Sequence, residues 1–460
     1  MRLTCSRKLV KSIAMEALLY TMASFALILV LTRFRIPLAV SIVAGSAALG
    51  GLFATNPIDM AGVMFSGLIN PKSVGLAAIT ILLPALSEAM QTGGQLQRIV
   101  GLFKAFLRRP VVTIVALPAL IGLLPMPGGA LFSAPMVAAA AGEGEKNGAR
   151  LSAINYWFRH IWEHWWPLYP GVLLAVQKVS EANMLPLGIV SFMAYQLPLG
   201  IFMLIAGFVI LRGMHPDMHV SASRPPKGTI WSLLLQTSSI WIVLLVWAGG
   251  SALSLAILAV AGVDGEMLKN IPWLRAGQTY VPLSVALLVS FLWTGKLNSL
   301  SGKQMWSIFT NKRIYKLVML VLSVMIFEQM LGYCHAADGI GRGLKDASIP
   351  PILVVCAIPF ISGLITGLAV GFVGTSFPIV LAIVTGASGE SLPGNPLAYM
   401  VLAYGMGHLG MMVSPLHLCH VVSNQYFKTP FRPVYKRILP AVLILLGVEV
   451  VYFLLLRWLT

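Results

Sequence analysis

The sequence predicts an all-α polytopic integral membrane protein with two repeats, each containing a broken helix or re-entrant hairpin. Three observations predict it. First, the chain of 460 residues is 58% hydrophobic and only 10% charged, with a mean hydropathy of +0.85, whereas soluble domains carry about 25% charged residues. Second, apolar runs of membrane length follow one another from residue 12 to residue 456. At about 20 apolar residues per span, they allow roughly 10–12 membrane segments. Third, two of the runs are interrupted by proline and glycine at places that match when the halves of the chain are aligned.

No soluble stretch of domain size is left over, so the chain reads as one integral membrane domain over 1–460. Its partner is the lipid bilayer, and the expected location is the inner (cytoplasmic) membrane. The net charge of +17 fits Lys and Arg held in cytoplasmic loops by the positive-inside rule. No basic stripe with interleaved aromatics lies outside the spans, which argues against nucleic acid. The four cysteines, Cys5, Cys334, Cys356 and Cys419, are scattered and form no disulfide framework. The absence of a P-loop argues against ATP-driven pumping. The basic N-terminus resembles a signal peptide, but the apolar run 12–31 is longer than a usual h-region and lacks a clear cleavage site. It reads as a first span.

The elements follow in order. Spans are expected at 12–31 and 36–54, joined by a short basic link. Residues 56–73 read as a mixed connector, 74–90 as a third span, and 95–109 as a basic amphipathic helix at the interface. The run 111–141 holds the first broken element. The densest polar-aromatic stretch is 155–170. After a span at 185–211, the polar segment 212–228 links the halves. Residues 229–261 are one tilted span or more, 263–278 are polar, 280–294 form a short span and 296–316 are basic. A span at 317–334, a loop at 338–350, the second broken run 351–387, an interrupted span at 396–418 and a last span at 439–456 complete the chain.

The first broken element is 123–135. Its three prolines and two adjacent glycines oppose a continuous helix. Irregular backbone at membrane depth is tolerated only where it is buried in protein or lines a watery cavity. The second is 366–378. Matched residues tie them together: Glu88-Ala-Met with Glu328-Gln-Met, Leu117-Pro-Ala-Leu-Ile-Gly-Leu123 with Ile358-Pro-Phe-Ile-Ser-Gly-Leu364, and Ser133-Ala-Pro with Ser376-Phe-Pro. His160 and His408 each stand seven residues before a Pro-Leu pair. The repeat cores are 74–180 and 316–426. The loop after Glu88 is strongly basic and that after Glu328 is nearly neutral, so the positive-inside rule puts them on opposite faces. That is the mark of an inverted repeat. The basic segments place the N-terminus outside, although the basic N-terminal tail runs against it.

The Pro-Met-Pro-Gly-Gly-Ala element at 125–130, the Tyr156-Trp-Phe-Arg-His-Ile-Trp-Glu-His164 segment and Ser414-Pro-Leu-His-Leu418 resemble the membrane family known as "domain of unknown function 401". The resemblance runs over about 18–456. That family is similar to the ion transporter superfamily of citrate, dicarboxylate, arsenite and gluconate carriers. The resemblance implies inverted repeats, re-entrant hairpins, and often elevator-type movement in a homodimer. The Ser-Asn-Thr tip signature of dicarboxylate carriers is absent, which argues against sodium-dicarboxylate coupling.

A broken helix exposes free N–H groups where the helix dipole favours an anion. Pro127, Gly128, Gly129 and Ser133 in the first element, Gly371, Gly374, Thr375 and Ser376 in the second, and Ser414 beyond it are the candidate substrate-binding residues. The competing reading is a proline-kinked helix packed through small residues. Arg159, His160, Glu163 and His164 admit three readings. His160-x-x-Glu163-His164 matches an inverted zinc-peptidase pattern, with both histidines on one helix face. Surrounding tryptophans suggest an interfacial aromatic belt. The matched His408 suggests a proton-titrating transport pathway, to which His417 is a weaker addition. Glu88 and Glu328, at matched span ends, are candidates for ion or proton coupling, or else they merely terminate their spans.

The expected function is secondary active transport of a small anion such as a carboxylate, driven by a proton or sodium gradient, with no cofactor beyond that ion and without enzymatic chemistry. A membrane zinc enzyme and a non-transporting membrane protein are the alternatives.

Overall fold

The computed structural model describes residues 2–104, 110–123, 129–141, 147–182, 184, 188–214, 228–263, 267, 270–336, 349–385 and 392–459. The described residues are helical and carry no strand. Among the described residues, seven helical stretches are long and apolar enough to cross a membrane.

The helices of the first half are α1 (Arg2–Arg33), α2 (Leu38–Leu52), α3 (Pro57–Ile69), α4 (Pro71–Thr92), α5 (Gln95–Lys104), α6 (Pro110–Gly122), α7 (Ala130–Ala141), α8 (Gly148–Arg159), α9 (Pro170–Glu181) and α10 (Ile189–Gly207). Those of the second half are α11 (Thr229–Val260), α12 (Pro272–Leu297), α13 (Gly302–Phe309), α14 (Lys312–Tyr333), α15 (Pro351–Thr366), α16 (Ala369–Val384), α17 (Pro396–Met412), α18 (Leu418–Tyr426) and α19 (Phe431–Leu459).

Asn-Pro pairs start three of these helices. Asn56, Asn70 and Asn395 each accept a backbone N–H of the first turn, and the following proline occupies the first helical position. That position needs no donor, so proline fits without loss. Two expectations change here. Residues 57–69, expected as a connector, form α3. The polar stretch 263–278 is helical from Pro272, so α12 is longer than the expected short span. Of the expected link 212–228, residues 215–227 lie outside the described residues.

The broken runs are helical hairpins. In the second, α15 and α16 are 16 residues each and pack on one another across Gly367 and Leu368. Gly367 has φ 63°, in the left-handed region that glycine enters without penalty. In the first, α6 and α7 are 13 and 12 residues and also pack together. At about 1.5 Å per residue, every arm is shorter than the roughly 30 Å hydrocarbon core. The matched prolines occupy matched arms: Pro118 and Pro359 lie inside α6 and α15, and Pro135 and Pro378 inside α7 and α16.

The two halves interlock. α4 packs on α12, and α2 on α14. The short helix after each turn lies against the other half's hairpin: α9 on α16, and α18 on α7. Small residues permit the closest approaches. A Cβ built on Gly363 of α15 would fall 2.8 Å from Met411 N of α17, and one on Gly410 would fall 2.8 Å from the carbonyl carbon of Phe360. α1–α4 with α11–α14 form one group of helices, and α6–α10 with α15–α19 the other.

Candidate functional site

The end of α6 and the turn between α15 and α16 are each backed by a turn from the same half. After α8 the chain leaves the helix at His160 and runs through turns to Tyr169. This segment wraps the end of α6: Trp162 Nε1 donates to Ala119 O at 2.7 Å, Arg159 Nη1 to Ile121 O at 3.4 Å, and the Tyr169 hydroxyl to Gly122 O. In the second half, the turn from Val413 to His417 lies against the tip between α15 and α16. A Cβ on Gly367 would stand 2.9 Å from His417 N.

Arg159 ends α8 and is only 3% exposed. Its guanidinium faces Gly129, one residue before α7 begins, and a Cβ on Gly129 would stand 2.6 Å from Arg159 Cζ. A buried cation therefore meets the N-terminus of a half-helix. Gly129 matters here as a close approach, because any side chain would occupy the guanidinium's space.

The two turns meet through histidine. His417 Nε2 and His160 Nε2 are 2.9 Å apart, and His160 Nδ1 is 2.5 Å from Tyr156 O. The Cys419 sulfur lies beside both imidazoles. One ligand atom from each of His160, His417 and Cys419 lies within 4.8 Å of the others. Tyr156 stacks on His420 with ring centroids 4.5 Å apart. His164 faces His408, with ring centroids 3.9 Å apart. Around this centre, Asn155 donates to Ala130 O at 3.1 Å and Ser423 Oγ at 2.9 Å, and Ser152 donates to Asn424 Oδ1 at 2.6 Å. These bonds fasten α8, α7 and α18 to one another.

The expected residues fall into three sets. Arg159, His160, Glu163, His164, His408, His417 and Ser414 come together in or beside the polar centre, with Ser414 Oγ accepting Leu416 N. His160 and His408, matched by their place before a Pro-Leu pair, take different ring partners. In space, His160 pairs with His417, and His164 with His408. The zinc-peptidase reading required His160 and His164 on one helix face, but residues 160–165 are turns. That geometry is lost.

The second set lies on the hairpins. Pro127 and Gly128 lie outside the described residues, whereas Gly129 is at the tip. Ser133 is buried in α7, with Oγ 3.5 Å from Gly129 O. The break expected over 366–378 narrows to Gly367 and Leu368, so Gly371, Gly374, Thr375 and Ser376 are helical. Thr375 donates to Gly371 O at 2.7 Å and Ser376 to Phe372 O at 2.5 Å. Gly374 admits Val324 of α14, and Gly371 admits Thr366.

The third set stands apart. Glu88 is half-buried in α4, away from the polar centre. Glu328 of α14 forms an ion pair with Lys178 of α9, whose side chain is 2% exposed. Glu328 also lines a cavity of about 760 Å³ with Lys72, Arg275, Gln177 and Tyr280.

Sequence reasoning missed Cys419, His420, Tyr156, Lys178 and Glu449. The run His417-Leu-Cys-His420 after Pro415 was a signal, because three metal- or proton-binding residues lie within four positions. Glu449 of α19 is 1% exposed, and neither carboxylate oxygen has a hydrogen-bond partner among the described residues. It faces Gly405 of α17, where a Cβ would stand 2.6 Å from Glu449 Cδ.

These features define an all-α polytopic membrane protein with a buried polar centre where the turns that back two helical hairpins meet. The chain belongs to the family described as "Protein of unknown function (DUF401)", whose model matches residues 14–271 and 279–455. No curated protein matches it.

Proposed function

We propose that the protein is a secondary active transporter of a small anion, such as a carboxylate, in the inner (cytoplasmic) membrane. The observation that carries this reading is the guanidinium of Arg159, buried against Gly129 at the start of α7. A guanidinium and a half-helix N-terminus both favour negative charge, and an arginine fork matches a carboxylate in two parallel bonds. The matched broken runs, read as inverted repeats, support transport, because such folds place substrate where broken helices of the halves meet.

A proton or sodium gradient drives uptake, and Glu449 favours the proton. A carboxyl group buried without a hydrogen-bond partner in a membrane helix is stable as the neutral acid and costly as the anion. It would carry a proton through the cycle.

Counterflow in proteoliposomes tests the reading. A panel of labelled mono-, di- and tricarboxylates and oxyanions is offered under imposed pH or sodium gradients. Accumulation of one class, lost in Arg159→Gln, is the expected result. No counterflow for any anion from folded, reconstituted protein would overturn the reading.

A further inference from the structure

We propose that His160, His417 and Cys419 bind a soft, singly charged d¹⁰ metal ion, Cu⁺. The site brings together the turn after α8 and the start of α18, and none of the three side chains is more than a tenth exposed. Their ligand atoms lie within 4.8 Å of one another, with the two Nε2 atoms at 2.9 Å. With metal–nitrogen bonds of about 2.0–2.1 Å in a three-ligand site, the two nitrogens stand about 3.5 Å apart, so the rings need to part by roughly half an ångström to admit the ion.

The hydrogen bonds already orient the ligands. His160 Nδ1 lies 2.5 Å from Tyr156 O, so it carries the proton and leaves Nε2 as a lone-pair donor toward His417 and Cys419. An imidazole N–H held by a backbone carbonyl is the outer-shell bond that metal-ligating histidines nearly always make. His417 Nδ1 is buried with no partner in the described structure. Taking a metal on Nε2 moves the His417 proton to that nitrogen, and the metal–nitrogen bond must offset the cost of a buried N–H without an acceptor.

Charge selects the ion. Arg159 precedes His160 at the end of α8, and Glu163 N donates to His160 O at 3.1 Å, so both charged residues belong to the turn that carries His160. A thiolate, a carboxylate and a guanidinium leave one negative charge, which one added positive charge cancels. A divalent ion leaves a net buried charge, which is costly. Thiolate and imidazole suit Cu⁺ in a three-ligand site. Binding replaces the thiol proton, so one proton leaves for each Cu⁺ taken up. This ligand set differs from the His160-x-x-Glu163-His164 pattern, and it does not rest on the transport reading.

Anaerobic competition with a colorimetric Cu⁺ chelator tests the site in the purified full chain. The expected result is one Cu⁺ retained per chain, with one sulfur and two nitrogen neighbours by X-ray absorption. Cys419→Ser and His417→Gln each weaken retention at least tenfold, whereas Cys356→Ser leaves it unchanged. Circular dichroism and the melting temperature of the metal-free variants show that they remain folded. Absence of retained Cu⁺, or unchanged retention in Cys419→Ser, overturns the site. Retention of Zn²⁺ as tight as that of Cu⁺ overturns the choice of a singly charged ion.

Discussion

Arg159 and Gly129 share one space. A Cβ on residue 129 would stand 2.6 Å from Arg159 Cζ, so the guanidinium occupies the volume a side chain there would need. Gly129→Ala therefore displaces the cation from the start of α7 without removing its charge. Anion affinity is expected to fall at least tenfold, with little change in melting temperature, because Arg159 is long enough to swing aside. Isothermal titration with the transported anion, set beside a melting curve, checks both halves of that expectation.

The ion pair between Lys178 and Glu328 joins α9 to α14, and so ties the two groups of helices together. Lys178 is 2% exposed at its side chain and Glu328 25%. Removing one partner of a buried pair costs about 3–5 kcal/mol, because the other charge is stranded. Lys178→Met is expected to lower the melting temperature sharply, and Lys178→Met/Glu328→Gln to recover much of the loss. A double variant no more stable than the single one shows that the pair is not the cause.

Gly410 lets the backbones of α17 and α15 touch, since a Cβ there would stand 2.8 Å from the carbonyl carbon of Phe360. Gly410→Ala forces the helices apart and is expected to cost about 1–3 kcal/mol, the usual penalty of overpacking. Gly447 of α19 has nothing within 4 Å of a built Cβ. Gly447→Ala is the control, neutral or slightly stabilising through helix propensity. Melting curves in one detergent compare the two.

Glu449 is the proposed proton carrier. Glu449→Gln keeps the shape and fixes the neutral form. Counterflow, which needs no net proton movement, is expected to persist in this variant. Accumulation driven by a pH gradient is expected to disappear. Equal accumulation by the variant and the wild type removes Glu449 from the coupling step.

Much of the fold was legible because membrane helices and their breaks write themselves in local composition. Proline and glycine announced an interruption in each run, but Pro135 and Pro378, read as part of the breaks, lie inside α7 and α16. Residues 57–69 were misread because Asp59 and Ser66 make the segment look like a connector, although Asn-Pro at 56–57 and 70–71 signals two helix starts. The site was legible where one segment supplied it, as with Arg159 and His160. It was not legible where distant segments meet. His160 and His417 are 257 residues apart, and Lys178 and Glu328 are 150 apart. The turn after α8 carries His160 to the start of α18, a meeting that no local spacing announces.

Anion-dependent stabilisation of the purified protein tests the central claim most directly. The wild type, Arg159→Gln and Lys178→Met/Glu328→Gln are melted in detergent with each anion of the counterflow panel. The account predicts that one anion class raises the melting temperature of the wild type and of the double variant, and leaves Arg159→Gln unmoved. An equal rise in folded Arg159→Gln would contradict it, because the buried guanidinium would then not hold the anion.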